Sequence, residues 1–297
     1  MQERQSAVDP IDDIIGKLES AGYIADPGIA TTLYMAQILE RPVLIEGKAG
    51  VGKTEIANVM SRVLGTKLIR LQCYDGLDVN TILYEWNYPK QLLRIKLGEN
   101  SDQSLYEREQ EIFSEAFLLK RPLLEALTQN NKAPVLLIDE VDRADEEFEA
   151  YLLETLSEFQ ITIPEIGTIS AIHKPLVILT SNRTRELSDA LRRRCLYLWI
   201  DYPDYEKELR IIRSKISGIN YDFASQISHF IQKVREMDLE KMPGISETLD
   251  WANAMILLQF NSLDYNVVEK TLGAFIKDAD DIHKFRTEGI KTILSNM

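Results

Sequence analysis

Five short apolar runs, widely spaced along 297 residues, constrain how this chain can fold. They read PVLIE (42–46), KLIRLQ (67–72), APVLLID (133–139), PLVILTS (175–181) and CLYLWID (195–201). Each is rich in Val, Ile and Leu, and helical patterns lie between several of them. Strands that are apolar along their whole length and alternate with helices predict a parallel sheet buried on both faces. Two helices are expected ahead of the first run. One starts at Asp9-Pro10, with Asp9 as cap and Ile11, Ile14, Ile15 and Leu18 as its apolar stripe; the other starts at Asp26-Pro27. Past Tyr202-Pro203 only helical patterns remain, such as DYEKELRIIRSKIS and ASQISHFIQKVREM, interrupted at Pro243-Gly244. The expectation is an α/β domain over residues 1–203, followed by a small all-α domain over 204–297.

Between the first run and the next helical pattern stands GKAGVGKT, residues 47–54. Two glycines with four residues between them, then Lys and Thr, form a phosphate-loop pattern. Its glycines let backbone N–H groups converge on one point and let phosphate oxygens come close. A helix opening at Lys53 adds its positive end. On this reading Gly47, Lys48, Ala49, Gly50, Val51, Gly52, Lys53, Thr54 and Glu55 cradle a nucleotide. Lys53 reaches the terminal phosphates, and the Thr54 hydroxyl ligates Mg²⁺.

The third run ends in two carboxylates, Asp139 and Glu140. At the C-terminal end of a parallel strand such a pair can divide labour. Asp139 is expected to hold Mg²⁺ through water, and Glu140 to orient and polarise an attacking water. Asn182, at the end of the fourth run, is placed to hydrogen-bond that water or a phosphate oxygen. DALRRRC, residues 189–195, sets three arginines against the fifth run, and arginine suits transition-state charge on a nucleotide bound by a neighbour.

The net charge is −13, which argues against a protein whose main task is coating nucleic acid. The only two cysteines, Cys73 and Cys195, form no disulfide framework, and His173, His229 and His283 lack metal-ligand spacing. No apolar run approaches the roughly 18 residues of a membrane span. The N-terminal stretch MQERQSAVDPIDD lacks a hydrophobic signal core. A cytoplasmic location is expected.

These motifs, in this order, resemble the AAA+ ATPases over nearly the whole chain. GKAGVGKT looks like Walker A, VLLIDE like Walker B and Asn182 like sensor 1. Arg194 looks like the arginine finger, with Arg193 as the second candidate. The resemblance implies a five-stranded parallel P-loop sheet sandwiched by helices and then a helical lid. It also implies ATP and Mg²⁺ as cofactors, adenine packed near Tyr23 and Ile24, and a homo-oligomeric ring, expected as a hexamer. Within that family, a long insert at about 74–131 and a β-hairpin at about 159–173 resemble the MoxR branch. LQCYDGLDVNTILYEWNYPKQLL, FQITIPEIGTI and PGISETLDWA are similar to its CoxD-like subgroup. That likeness implies a chaperone-like remodeller that matures a client metalloenzyme, of the molybdenum-containing CO dehydrogenase type, with a von Willebrand factor A-domain partner.

One departure stands out. Where the branch places a sensor 2 arginine, Gly244-Ile245-Ser246-Glu247-Thr248 offers Thr248, which cannot supply a forked, charged contact. The insert carries Tyr84, Trp86 and Tyr88 beside Arg94 and Lys96, either as a loop that grips a client or as a hairpin packed on its own domain. Two further functions stay open: a DNA-acting ATPase of clamp-loader type, and a nucleotide-gated scaffold with negligible turnover.

Overall fold

The computed structural model describes residues 9–77, 82–97 and 104–295. Residues 78–81 and 98–103 of the insert lie outside the described residues. Asp9 caps the first helix, α1 (Pro10–Ser20), by accepting from the Ile11 N–H, and Pro10 fills the first helical position. α2 (Pro27–Leu39) follows, then strand β1 (Val43–Gly47) and α3 (Lys53–Leu64). The remaining strands are β2 (Leu68–Gln72), β3 (Tyr84–Trp86), β4 (Leu118–Lys120), β5 (Val135–Asp139), β6 (Gln160–Ile163), β7 (Gly167–Ser170), β8 (Leu176–Ser181) and β9 (Leu196–Ile200).

The five apolar runs make one parallel sheet in the order β2-β5-β8-β1-β9. Every residue of β5, β8 and β1 is buried, because these strands are covered on both faces. The edge strands β2 and β9 instead leave some side chains exposed. In register, Glu46 stands beside Ser181, and Ile138 beside Leu179. The C-terminal tips of β1, β8 and β5 therefore share one edge of the sheet. β6 and β7 pair antiparallel as a hairpin, and so do β3 and β4 inside the insert.

The chain divides into two compact units, each with its own core. The sheet unit comprises Thr31–Glu46 and Met60–Leu198. Its core includes Leu44, Ile138, Phe148 and Leu179, and Trp86 belongs to it too. Trp86 packs edge-on against Phe113 at 5.3 Å between ring centroids, so this aromatic of the insert is committed to its own unit. Tyr88 is exposed. The helical unit comprises the residues up to Ala30, Gly47–Val59 and those from Trp199 on. Its core gathers Phe230, Trp251, Phe275 and Phe285. Among the described residues no helix is long and apolar enough to cross a membrane.

Candidate functional site

In the helical unit, the loop 47–54 turns on its glycines. A Cβ on Gly47 would come within 2.1 Å of the Ile200 carbonyl oxygen, so no other residue fits there. Gly50 has φ +73° and offers its carbonyl to the Ile245 and Ser246 N–H groups at 2.9 and 3.3 Å. Those groups open the helix Ile245–Leu257, and a Cβ on Gly50 would meet Ser246 Oγ and Glu247 Oε2. Lys53 is buried at the start of α3, and its Nζ donates to the carbonyls of Gly47 at 2.8 Å and Lys48 at 2.6 Å. The amine is thus held over the loop's own backbone. Thr54 and Glu55 follow on the first turn of α3, half-buried. Tyr23 and Ile24 lie half-buried between α1 and α2 in sequence; burial, with Asp26 and Glu55 nearby, pushes the Tyr23 phenol upward.

Thr248 takes no part in that contact with the loop. It is fully buried, donating to Glu208 Oε1 and the Gly244 carbonyl, both at 3.0 Å. Ser246 and Glu247, not Thr248, are the residues that this helix sets against the loop.

In the sheet unit, the carboxylates sit at the tip of β5. Asp139 is buried, with Oδ1 accepting from the Thr180 hydroxyl and Oδ2 from Arg70 Nη2 on β2, each at 2.5 Å. Glu140 has left-handed backbone angles (φ 56°, ψ 49°), which cost a non-glycine residue energy and cluster at functional positions. Its N–H donates to Thr180 Oγ1 at 2.9 Å, and its carboxylate receives Asn182 Nδ2 at 3.5 Å and pairs with Arg143 at 2.8 Å. Asp142 accepts from the N–H groups of Asn182 and Thr184, which fixes the turn after β8. The fold thus brings Asn182 to Glu140, 42 positions away in sequence, and Thr180 to Asp139, 41 positions away. Thr180 and Arg70 were missed as partners of these acids. Thr180 stands one residue before the close of the apolar run 175–181, whereas nothing local marks Arg70.

The three arginines diverge. Arg192 turns inward to Glu46 at 3.0 Å. Arg194 is exposed, and its Nε donates to Ser157 Oγ at 2.7 Å. Arg193 is exposed.

Residues 42–195, more than half of the chain, match the model of the AAA domain (dynein-related subfamily). The chain belongs to that family. As an AAA domain it is also similar to an uncharacterized protein of Staphylococcus aureus strain bovine RF122 / ET3-1, at 27% identity over 215 residues, 70% of this chain and 73% of the relative. Among solved structures, it is similar to a candidate ATPase from Cytophaga hutchinsonii, with a TM-score of 0.50, 16% identity, and 97% and 94% of the two chains covered. A Thermotoga maritima RuvB Holliday junction branch migration motor matches with a TM-score of 0.46 and 19% identity, covering 86% of this chain and 68% of that one.

Each unit carries a donor of the kind that suits Mg²⁺: Thr54 a hydroxyl in the helical unit, Asp139 a carboxylate in the sheet unit, both hard oxygens. Among the described residues no group of three or more His, Cys, Asp or Glu side chains is arranged to hold a metal. Mg²⁺ usually takes only one or two protein carboxylates and completes its shell with water and phosphate oxygens.

Proposed function

We propose that the chain hydrolyses Mg-ATP. The reading rests above all on the convergence of Asp139, Glu140, Thr180 and Asn182 at the tips of β5 and β8. That edge also carries the end of β1, from which the phosphate loop continues. Gly47 to Glu55 hold the phosphates, with Lys53 as the cation that reaches them. Thr54 and Asp139 hold Mg²⁺, which when bound would offset charge on the phosphate oxygens. Glu140 orients and polarises the attacking water, and Asn182 steadies it. Tyr23 and Ile24 pack the base. Arg194 or Arg193 serves the nucleotide of a neighbour, which makes the active form a ring of copies, a hexamer. The two proposed domains are 1–203 and 204–297.

The finer reading is a MoxR-type remodeller in the cytoplasm that matures a client metalloenzyme with a von Willebrand factor A-domain partner. The β6–β7 hairpin and the insert holding β3 and β4 support that branch. A net charge of −13 weighs against DNA as the substrate.

A fluorescent ATP analogue and a phosphate-release assay test the proposal. Lys53→Ala removes the loop cation that reaches the terminal phosphates and should weaken analogue binding strongly. Activity per chain should rise with protein concentration, in step with assembly measured by light scattering. Equal binding by Lys53→Ala refutes the loop assignment. A scaffold with negligible turnover is the second reading. It draws on the ion pairs Arg70–Asp139 and Arg143–Glu140, which already engage both carboxylates. Nucleotide binding without phosphate release would favour it.

A further inference from the structure

Glu46 is the last residue before the phosphate loop and is 1% exposed. A carboxylate so deep is costly unless its oxygens are matched. Here Arg192 Nη2 donates to both oxygens at 3.0 Å and the Tyr197 hydroxyl donates to Oε2 at 3.0 Å, while Arg183 Nε lies 3.7 Å away. The hydrogen bond from Arg192 to Glu46 raises the guanidinium's pKa, while partial burial opposes it. These partners come from three segments: Arg183 directly follows Asn182, Arg192 stands on the helix Asp189–Arg194, and Tyr197 lies on β9.

That short helix is held to the β1 segment twice. Arg41, two residues before β1, donates to the carbonyls of Arg193 at 2.6 Å and Arg194 at 3.1 Å. Glu46, near the other end of β1, grips Arg192. Of three consecutive arginines one is turned inward and two are left exposed. Glu46 and Arg41 together thus hold the segment that carries the exposed pair, while the Arg194 side chain also rests on Ser157.

We propose that Glu46 is a positioning residue: through Arg192 it sets how Arg193 and Arg194 are presented to the next copy. This rests on the ATPase reading above and deepens it. A Glu46 that serves only the fold would affect a chain equally in either of its two roles, as host of a nucleotide or as donor of arginines. A positioning Glu46 affects the donor role.

Mixed assemblies separate the two. Glu140→Gln chains lack the water-polarising charge but can donate arginines. Arg193→Ala/Arg194→Ala chains lack the arginines but can host ATP. Their mixture should regain phosphate release through interfaces that combine the intact halves. Glu46→Gln is then added to one partner at a time, with analogue binding and melting temperature measured on each variant. Placed in the donor, it should lower the regained activity about tenfold more than in the host, the scale set by losing one charge-assisted hydrogen bond. Arg192→Gln in the donor removes the same pair from the other side and should behave alike, which covers the case in which Glu46→Gln does not fold. Equal losses in donor and host, a loss confined to the host, or no loss overturns the positioning role. If the parent mixture is silent while wild type turns over, the arginine-donation reading itself fails and the positioning role falls with it.

Discussion

Among the buried acids that face an arginine, Glu208 and Asp139 differ most usefully, in how far water reaches the partner. Glu208, in the helical unit, is fully buried opposite Arg235, whose side chain is 7% exposed. Arg235 grips both its oxygens at 2.7 and 2.9 Å, and Thr248 and Gln232 add hydrogen bonds at 3.0 and 2.7 Å. Burial raises the Glu208 pKa against the pull of these partners. Arg235 also donates to the Pro243 carbonyl and stacks over Tyr202. The arrangement stiffens the turn that meets Gly50. Asp139 at the sheet edge is just as deep, but its arginine is not: the Arg70 side chain is 54% exposed, and water can solvate it if the pair opens. Closed networks stabilise, whereas an acid with a solvated partner can trade it for another cation.

The largest effect should come from the sheet edge and leave the fold alone. Glu140→Gln keeps size and hydrogen bonding but loses the charge that polarises water, so turnover should fall by about 10²–10⁴-fold. Analogue binding and melting temperature should stay near wild type. A variant that turns over normally would move the water-handling role away from Glu140. Next comes the brace. Arg235→Ala strands the Glu208 carboxylate in the core and should destabilise by about 3–5 kcal/mol, read by urea unfolding. A loss near zero would mean that the helical unit tolerates an open acid, and the contrast between the two pairs would collapse.

The sheet was legible because its strands are apolar throughout and the helices between them are not. The paired carboxylates Asp139 and Glu140 were legible as the end of a strand. Thr248 could also have been placed from sequence alone. It shares a stripe with Trp251, Ala252 and Met255, at helical spacings of three, four and seven, all of them fully buried. Its role as an inward tie follows from that stripe, whereas a motif comparison looks only at the missing arginine. Pairs such as Glu46 with Arg192 and Arg70 with Asp139 were hidden, because each joins residues 146 or 69 positions apart and no local pattern marks them. Charge on a half-exposed strand residue such as Arg70 reads as a solvated face until the neighbouring strand is known.

A smaller effect should appear in alkali. Burial, with Asp139, Asp142 and Glu140 adding to it, pushes the Cys73 thiol up to about 12, and burial does the same for Cys195. Both lie in the sheet unit, and the helical unit has no cysteine. A thiol that stays protonated in the fold but ionises near 8.5 once exposed contributes stability that is complete below about 8.5 and lost as pH rises toward 12. Between pH 7.5 and 9.5 each thiol should cost about 1 kcal/mol of unfolding free energy. Cys73→Ala/Cys195→Ala should flatten that slope, and thiol alkylation of the native protein at pH 8 should be far slower than in urea. Fast native alkylation would show that the sheet edge around Cys73 opens.

The smallest effect on stability decides the comparison most directly. Arg70→Ala removes a half-exposed guanidinium from Asp139, and such pairs contribute about 0–1 kcal/mol because water screens them. The acid left behind is still hydrogen-bonded by Thr180. Urea unfolding should therefore move by no more than about 1 kcal/mol, several-fold less than for Arg235→Ala. The change should show elsewhere. If Mg²⁺ must displace Arg70 from Asp139, the variant needs less Mg²⁺ for half-maximal binding of the ATP analogue. Glu208, with every oxygen already engaged inside the helical unit, offers no such exchange, and Arg235→Ala at permissive temperature should leave the Mg²⁺ requirement where it was. A stability loss in Arg70→Ala as large as that of Arg235→Ala, with an unchanged Mg²⁺ requirement, would make Asp139–Arg70 a second brace and remove Asp139 from the metal site.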